Sequence, residues 1–275
     1  MSSGPWSTHE IEWGTDTVTK RFPAGDRPRQ AREWRALTLL ARHAPGLAPT
    51  PLRGDAEAVR PTVVMSRLAG APLRGATICP DRTTALAEAV ARLHGCVPAS
   101  EVAALAVRPG QRAEIVAQVR SWREAGTPAH PTADVAAAVR DGLDWLDSWS
   151  AADPDDGGNP VPAVFGPGDG NLANYLWDGV RVRVVDFEDS GRSDRAFELA
   201  EITEHVSGWV TGNLDVPLFL SHFDLTPAEA ARLPECRRLL ALVWLFLLSM
   251  DDPDNPRNPP GTAARQARRL RGLLG

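Results

Sequence analysis

The amino-acid sequence predicts an α+β fold, a small strand-rich N-terminal part followed by a larger, mainly helical C-terminal part. Three observations carry this. Residues 9–22 read as a hairpin, His9 to Trp13 and Thr17 to Phe22 joined by the Gly14-Thr15-Asp16 turn. From Ala85 onward most segments show helical apolar spacing. One strand pair interrupts them: Tyr175–Trp177 and Val180–Val185, with Asp178-Gly179 between as a two-residue turn whose central residues both need positive φ.

Taken in order, the first hairpin leads to a helix over 28–43, apolar at Trp34, Leu37 and Leu40. Pro45, Pro49, Pro51 and Pro61 punctuate the next stretch, and Thr62–Met65 is a strand. Ala85–His94 is helical, with further helices near 111–124 and 133–149. Ala151–Pro162, rich in Asp, Asn, Gly and Pro, is a loop. After the second strand pair, helices are expected near 195–209, 215–223, 227–249 (broken at Pro234) and 262–273.

Composition excludes several classes. A net charge of −5 over 275 residues does not suggest a nucleic-acid binder. Cys79, Cys96 and Cys236 are widely spaced and lack a C-x-x-C arrangement, as expected of a reduced, cytoplasmic protein without a zinc site. The start of the chain has no apolar signal core. The longest apolar run, Leu239–Leu248, is about half of the roughly 20 residues that span a bilayer, so no membrane association is expected. No H-E-x-x-H, G-x-S-x-G or Walker A motif occurs. The Arg265-Arg268-Arg269-Arg271 series reads as the wet face of a terminal helix.

The chemistry concentrates in Gly166–Ser190. Asn174 opens one hairpin strand and Asp186 closes the other, so pairing brings both to the same open end. Asp169 lies just upstream in a Gly-rich loop within reach of that end. Two carboxylates and an amide oxygen converging there suit Mg²⁺, which takes hard oxygen donors beside phosphate. Each residue alone has a plainer reading: Asp169 as a Gly-Asp-Gly turn residue, Asn174 as a strand-entry residue, Asp186 as a strand-end cap. Glu188 either assists a metal or sits in a solvated loop. Of thirty basic residues, twenty-nine are Arg and only Lys20 is Lys. Read alone, Lys20 is a solvated strand residue; read with the downstream segment, it is a point charge for phosphate.

Asp169, Asn174 five residues on, and Val185-Asp186-Phe187 resemble the catalytic segment of the aminoglycoside phosphotransferase and choline kinase family, small-molecule kinases with a two-lobed protein-kinase-like fold. The resemblance implies a β-rich nucleotide-binding lobe over 1–65, a hinge over 66–73, and a mainly helical catalytic and substrate-binding lobe over 74–275. It implies Asp169 as catalytic base and Asn174 and Asp186 as Mg²⁺ ligands. Lys20 and Glu33 would form the phosphate-holding pair, and Met65, Ser66 and Leu68 the adenine-binding hinge. ATP and Mg²⁺ would be the cofactors, and the acceptor a hydroxyl of an aminoglycoside-like antibiotic, amino sugar or amino alcohol, handled by a monomer or homodimer. Asp194 resembles a family residue that holds the catalytic-loop backbone. Glu198, Glu201 and Glu204 would form an exposed acidic face or meet a cationic substrate.

The chain departs from the family twice. Pro167 replaces the motif's His, and only nineteen residues precede Lys20, so the nucleotide-covering loop would be shortened or be supplied by Gly14 at the hairpin turn. These departures also fit a nucleotide- or ligand-binding pseudokinase without turnover. A protein kinase fits less well: Gly168 stands where the activation-loop-reading Arg would, and no activation segment is recognisable.

Overall fold

The computed structural model describes residues 9–126, 132–150, 161–252 and 254–275. The start of the chain and most of the expected loop at Ala151–Pro162 lie outside the described residues.

The N-terminal part is an antiparallel sheet of β1 (Glu10–Trp13), β2 (Thr17–Arg21), β3 (Pro51–Asp55) and β4 (Thr62–Ser66), in the order β1-β2-β4-β3. Register places Lys20 opposite Ile11 and Val63, and Val18 opposite Met65. Helix α1 (Arg27–His43) starts at Asp26, whose side chain accepts the Arg29 N–H, with Pro28 in the first turn, where its missing donor is harmless. Its apolar stripe, Ala36, Leu37 and Leu40, is buried in one core with Phe22, Val63 and Met65. The proline-punctuated stretch hides β3, which pairs with β4 across a register shift between Pro51 and Arg53. Proline is tolerated on such an edge.

After β4 the chain crosses to β5 (Ala71–Pro72), which pairs with β7 (Tyr175–Trp177); β7 in turn pairs with β8 (Val182–Val184). The β7–β8 connection is not the expected two-residue turn. Trp177 faces Val182, so four residues intervene, and of these only Gly179 has positive φ (104°). The Asp178 side chain instead accepts the N–H groups of Val180 and Arg181. That side-chain turn replaces the strained pair, and Val180 is 83 % exposed rather than part of a strand.

A second strand pair, β6 (Ala163–Gly166) with β9 (Gly191–Asp194), escaped the sequence reading. Both strands are short and lie beside Gly-rich turns. Gly191 must be Gly here: a Cβ would meet the Ala106 carbonyl and Arg108 N–H at 2.8 Å, where residues 106–108 run alongside β9.

Helices α2 (Pro80–Cys96), α3 (Ala99–Ala104), α4 (Arg112–Glu124), α5 (Ala133–Ser150), α6 (Arg195–Glu204), α7 (Val216–Leu220), α8 (Pro227–Ser249) and α9 (Thr262–Leu274) complete the fold. Helix α6 stops five residues earlier than expected and a 3₁₀ turn, Val206–Gly208, follows. Helix α8 is not broken at Pro234. A capping box of Thr226 and Glu229 starts it, and Leu239, Leu240, Leu242, Leu245 and Phe246 are buried; packing outweighs the lost backbone bond. No helix among the described residues is long and apolar enough to cross a membrane.

Candidate phosphoryl-transfer site

Lys20 lies at the centre of the site. Its side chain is 6 % exposed, and Nζ lies 3.1 Å from Glu33, 2.6 Å from Asp186 and 2.7 Å from Glu188. These carboxylates, each with an oxygen within 4.8 Å of the others, make a trio of the kind that holds a divalent ion, but the ammonium already sits among them. Burial works against the Lys20 charge; Glu33, Asp186 and Glu188 outweigh it and raise its pKa above the ordinary value. Burial foremost pushes the Glu33 carboxyl up, against the pull of Lys20 and the Phe187 N–H. Glu188 does not sit in a solvated loop: it is buried and lies in the carboxylate trio. Burial opposes its charge, yet His9 and Lys20 hold it down at about 2.

The loop after β8 is fixed to α1. Glu33 Oε2 accepts the Phe187 N–H at 2.8 Å, Arg32 Nε donates to the Glu188 carbonyl at 2.6 Å, and Arg29 Nε donates to Asp189 at 3.3 Å. Between these anchors Asp186 takes φ 69°, the one non-Gly residue with positive φ among those described. Asp tolerates that region better than most residues, and such strain persists where the surroundings over-determine it.

Asp169 and Asn174 meet directly: Asn174 Nδ2 donates to Asp169 Oδ2 at 2.9 Å, and the Asn171 N–H donates to Oδ1 at 2.9 Å. Both bonds favour the carboxylate. Burial nevertheless leads, and with the nearby Asp186 charge it pushes Asp169 up to about 6, although 42 % of the side chain remains open to the cleft. The Val185 N–H donates to the Asn174 carbonyl at 2.9 Å, which ties the loop of Asp169 to the segment that leads from β8 to Asp186.

The acidic series on α6 is not an exposed face: Glu198 and Glu204 are buried and Glu201 is half-buried. Glu198 Oε1 takes Arg108 Nη1 at 2.8 Å, and Glu201 lies 3.0 Å from the same nitrogen. Arg108 is 3 % exposed, and its Nη2 donates to the Gly168 carbonyl at 3.0 Å, bracing the loop beside Asp169. Gly166 permits this, since a Cβ there would meet the Glu198 carboxyl at 2.4 Å. Glu204 binds Arg237 and Arg269. Arg265, Arg268 and Arg271 are exposed, as the wet face of a terminal helix would be; Arg269 is half-buried, and it and Arg265 lie over Trp209, with Arg265 also donating to the Trp209 carbonyl. Asp194 does not hold the catalytic loop: it caps α6 through the Phe197 N–H and binds Arg232.

The model of the phosphotransferase enzyme family, APH, matches residues 4–233. The chain belongs to the phosphotransferase enzyme family. No curated protein sequence matches it. Among solved structures it is similar to a choline/ethanolamine kinase family protein from Mesorhizobium loti (20 % identity, 99 % of this chain and 86 % of that one, TM-score 0.66). It is also similar to aminoglycoside phosphotransferase APH(4)-Ia (17 % identity, 100 % and 92 %, TM-score 0.66) and to choline kinase LicA from Streptococcus pneumoniae (16 % identity, 99 % and 91 %, TM-score 0.62). These likenesses show the protein-kinase-like fold: a small antiparallel sheet before a helical C-terminal part.

In this phosphotransferase two of the expected hinge residues, Met65 and Ser66, end β4, and Leu68 follows it. Met65 is buried opposite Val18; the Ser66 N–H is bonded to the Thr50 carbonyl, and Leu68 lies in the irregular crossing to β5. The Arg67 N–H donates to the Asp16 carbonyl, its guanidinium donates to the Gly14 carbonyl, and it lies 5.6 Å from the Trp13 ring. The β1–β2 turn is thereby fastened to the hinge. Sequence reasoning missed Arg108, His9 and His205. For Arg108 an indirect signal existed: α6 carries Phe197, Leu199, Ala200 and Ile202 around its acids, a pattern with no wet face, so those acids needed a buried cation.

Proposed function

We propose that this phosphotransferase is an ATP- and Mg²⁺-dependent kinase that moves the γ-phosphoryl group onto a hydroxyl of a small molecule. The observation that carries this is the meeting of Lys20, Glu33 and Asp186 at hydrogen-bonding distance, with Asp169 bonded to Asn174 nearby. Phosphoryl transfer asks mainly for positioning and charge neutralisation, and these groups supply both.

The donor set fits Mg²⁺. Three carboxylates surround one ammonium, an excess of negative charge, and the Asp186 side chain is 39 % exposed. Asp186 and Asn174 would hold the ion, which when bound neutralises phosphate charge. Lys20 would hold the phosphates, oriented by Glu33. Asp169 would align the acceptor hydroxyl and take its proton; a carboxyl near 6 is ionised at neutral pH and basic enough for that task. Met65, Ser66 and Leu68 would border the adenine. With its amide hydrogen already given to Thr50, Ser66 would offer its carbonyl, leaving the Leu68 N–H as donor.

For the acceptor, an aminoglycoside-like antibiotic, amino sugar or amino alcohol is the leading class, since one structural neighbour is a ternary complex with AMP-PNP and hygromycin B. Beside the catalytic loop, however, Arg74 Nη1 donates to Asn171 Oδ1, which places a cation next to Asp169. That favours acceptors with few amines over polycations. Free Cys79, Cys96 and Cys236 support a reducing, cytoplasmic setting. The test is a phosphorylation screen with labelled ATP and GTP against amino-sugar antibiotics, amino alcohols and hydroxy acids. Transfer that needs Mg²⁺ and is lost in Asp169→Asn supports the reading; nucleotide binding without transfer to any acceptor would oppose it.

A further inference from the structure

His205, just after α6, plays no part in the family motif, yet its ring lies at the catalytic loop. Nε2 is 3.9 Å from Asp169 Oδ1. Nδ1 lies 2.6 Å from Ser207 Oγ and accepts the Ser207 N–H at 3.1 Å. Ser207 Oγ in turn accepts the N–H of Leu172, three residues beyond Asp169, at 2.8 Å. The ring stacks edge-on against Trp244, with centroids 4.6 Å apart.

These bonds fix the tautomer. A backbone N–H can only donate, so Nδ1 carries no proton. Ser207 Oγ accepts from Leu172 and is free to donate its own hydrogen to Nδ1. Burial first, then the Arg74 charge, pushes His205 down to about 3, so the ring is neutral at physiological pH. The one ring proton therefore sits on Nε2, facing Asp169. At 3.9 Å the contact is electrostatic, and a shift of about 1 Å makes it a hydrogen bond. Pro167, where the family motif has His, offers the loop no such donor.

We propose that His205 is the positioning residue of Asp169: Ser207 and Trp244 hold its ring so that Nε2–H orients the carboxylate toward the acceptor, while Nδ1 and Ser207 anchor the loop backbone. The proposal rests on the reading of Asp169 as the base. It explains how a loop without the motif His keeps its carboxylate in line, from an element about forty residues downstream.

Two substitutions separate the two nitrogens. Asn places an acceptor near Nδ1 and removes the donor at Nε2; Gln places a donor near Nε2 and gives up the Nδ1 acceptor. Long-range ¹H–¹⁵N spectra of the histidine-labelled protein should show His205 neutral with the proton on Nε2, and Asp169→Asn should move the Nε2 signal while leaving Nδ1 in place. A proton on Nδ1, or an Nε2 signal indifferent to Asp169→Asn, would overturn the proposal. With an acceptor found by the screen and ATP as donor, His205→Asn should lower kcat about tenfold or more at unchanged KM for ATP, and His205→Gln should recover most of that loss. Equal losses in both variants, tracking their thermal stability, would also overturn it. Spectra as expected in a protein that transfers phosphate to nothing would instead refute the kinase reading and leave the His205–Asp169 pairing standing.

Discussion

Lys20 and Asp186 are separated by 166 positions in the chain and by 2.6 Å in space. The pair joins the N-terminal sheet to the strand end that follows β8, and Glu33 and Glu188 complete the cluster. A buried cation with three carboxylate partners is not replaceable by an apolar group of similar length. Lys20→Met should destabilise the protein by about 3–5 kcal/mol in urea unfolding, because it strands the carboxylates. Adding Glu188→Gln should return part of that loss. Equal stability of wild type and Lys20→Met would show that the cluster is not held together by the ammonium.

Arg108 braces the loop of Asp169 through Glu198, Glu201 and the Gly168 carbonyl. Arg108→Met leaves two buried acids without their cation and should also cost about 3–5 kcal/mol. Gly166→Ala should act on the same network through the clash with Glu198. Turnover in Gly166→Ala should fall more than nucleotide affinity does, measured by kinetics beside nucleotide titration, since the displaced group lies under the loop of Asp169 and not at the hinge.

Buried neutral imidazoles set an acid limit on stability. His94 is pushed down to about 4 and His205 to about 3, in both cases chiefly by burial, from an ordinary 6.5. Below about pH 6.5 the unfolded chain takes up protons that these folded rings refuse, so stability is full above that value and falls by about 1.4 kcal/mol per pH unit per group on acidification. Glu188, depressed from 4.5 to about 2, adds stability that is present above 4.5 and lost as pH falls through 2. Asp169, up at about 6, and Glu201, up at about 7, both chiefly through burial, act in the opposite sense over the same window, so the rings are best read directly. The His94 and His205 ring resonances should stay those of neutral imidazoles from pH 7 to pH 5, and a ring that titrates near 6.5 would contradict this.

Pro234 lies in the continuous α8 and is exposed, so its ring packs against little. Pro234→Ala restores a backbone donor and should stabilise the protein by about 1–2 kcal/mol, read as a rise in melting temperature. A fall would mean that the proline shapes the helix for packing.

The sequence made the α+β class, the sheet strand carrying Lys20, most of the helices and the Asp169–Asn174–Asp186 segment legible, because each is written in local period or spacing. It hid β3, β6 and β9, since short strands beside Pro and Gly have no period to read. The Asp178 turn misled because a side chain can cap a loop that the Asp-Gly pair alone suggests is tighter. The acids of α6 mislead because charge usually marks exposure, whereas their partner Arg108 comes from a distant loop, and only the lack of a polar face on α6 hints at it. His205 was silent for the same reason: its meaning lies in its distance from Asp169, set by tertiary packing.

If Asp169, beside Lys20 and Asp186, serves phosphoryl transfer to a hydroxyl, removing its carboxylate must stop that transfer. The most direct measurement is Mg²⁺-dependent transfer from γ-labelled ATP to an acceptor, comparing wild type with Asp169→Asn at matched folded concentration. The expected result is a loss of about 10²–10⁴ in kcat with nucleotide binding retained. Transfer at the wild-type rate in Asp169→Asn would contradict the account.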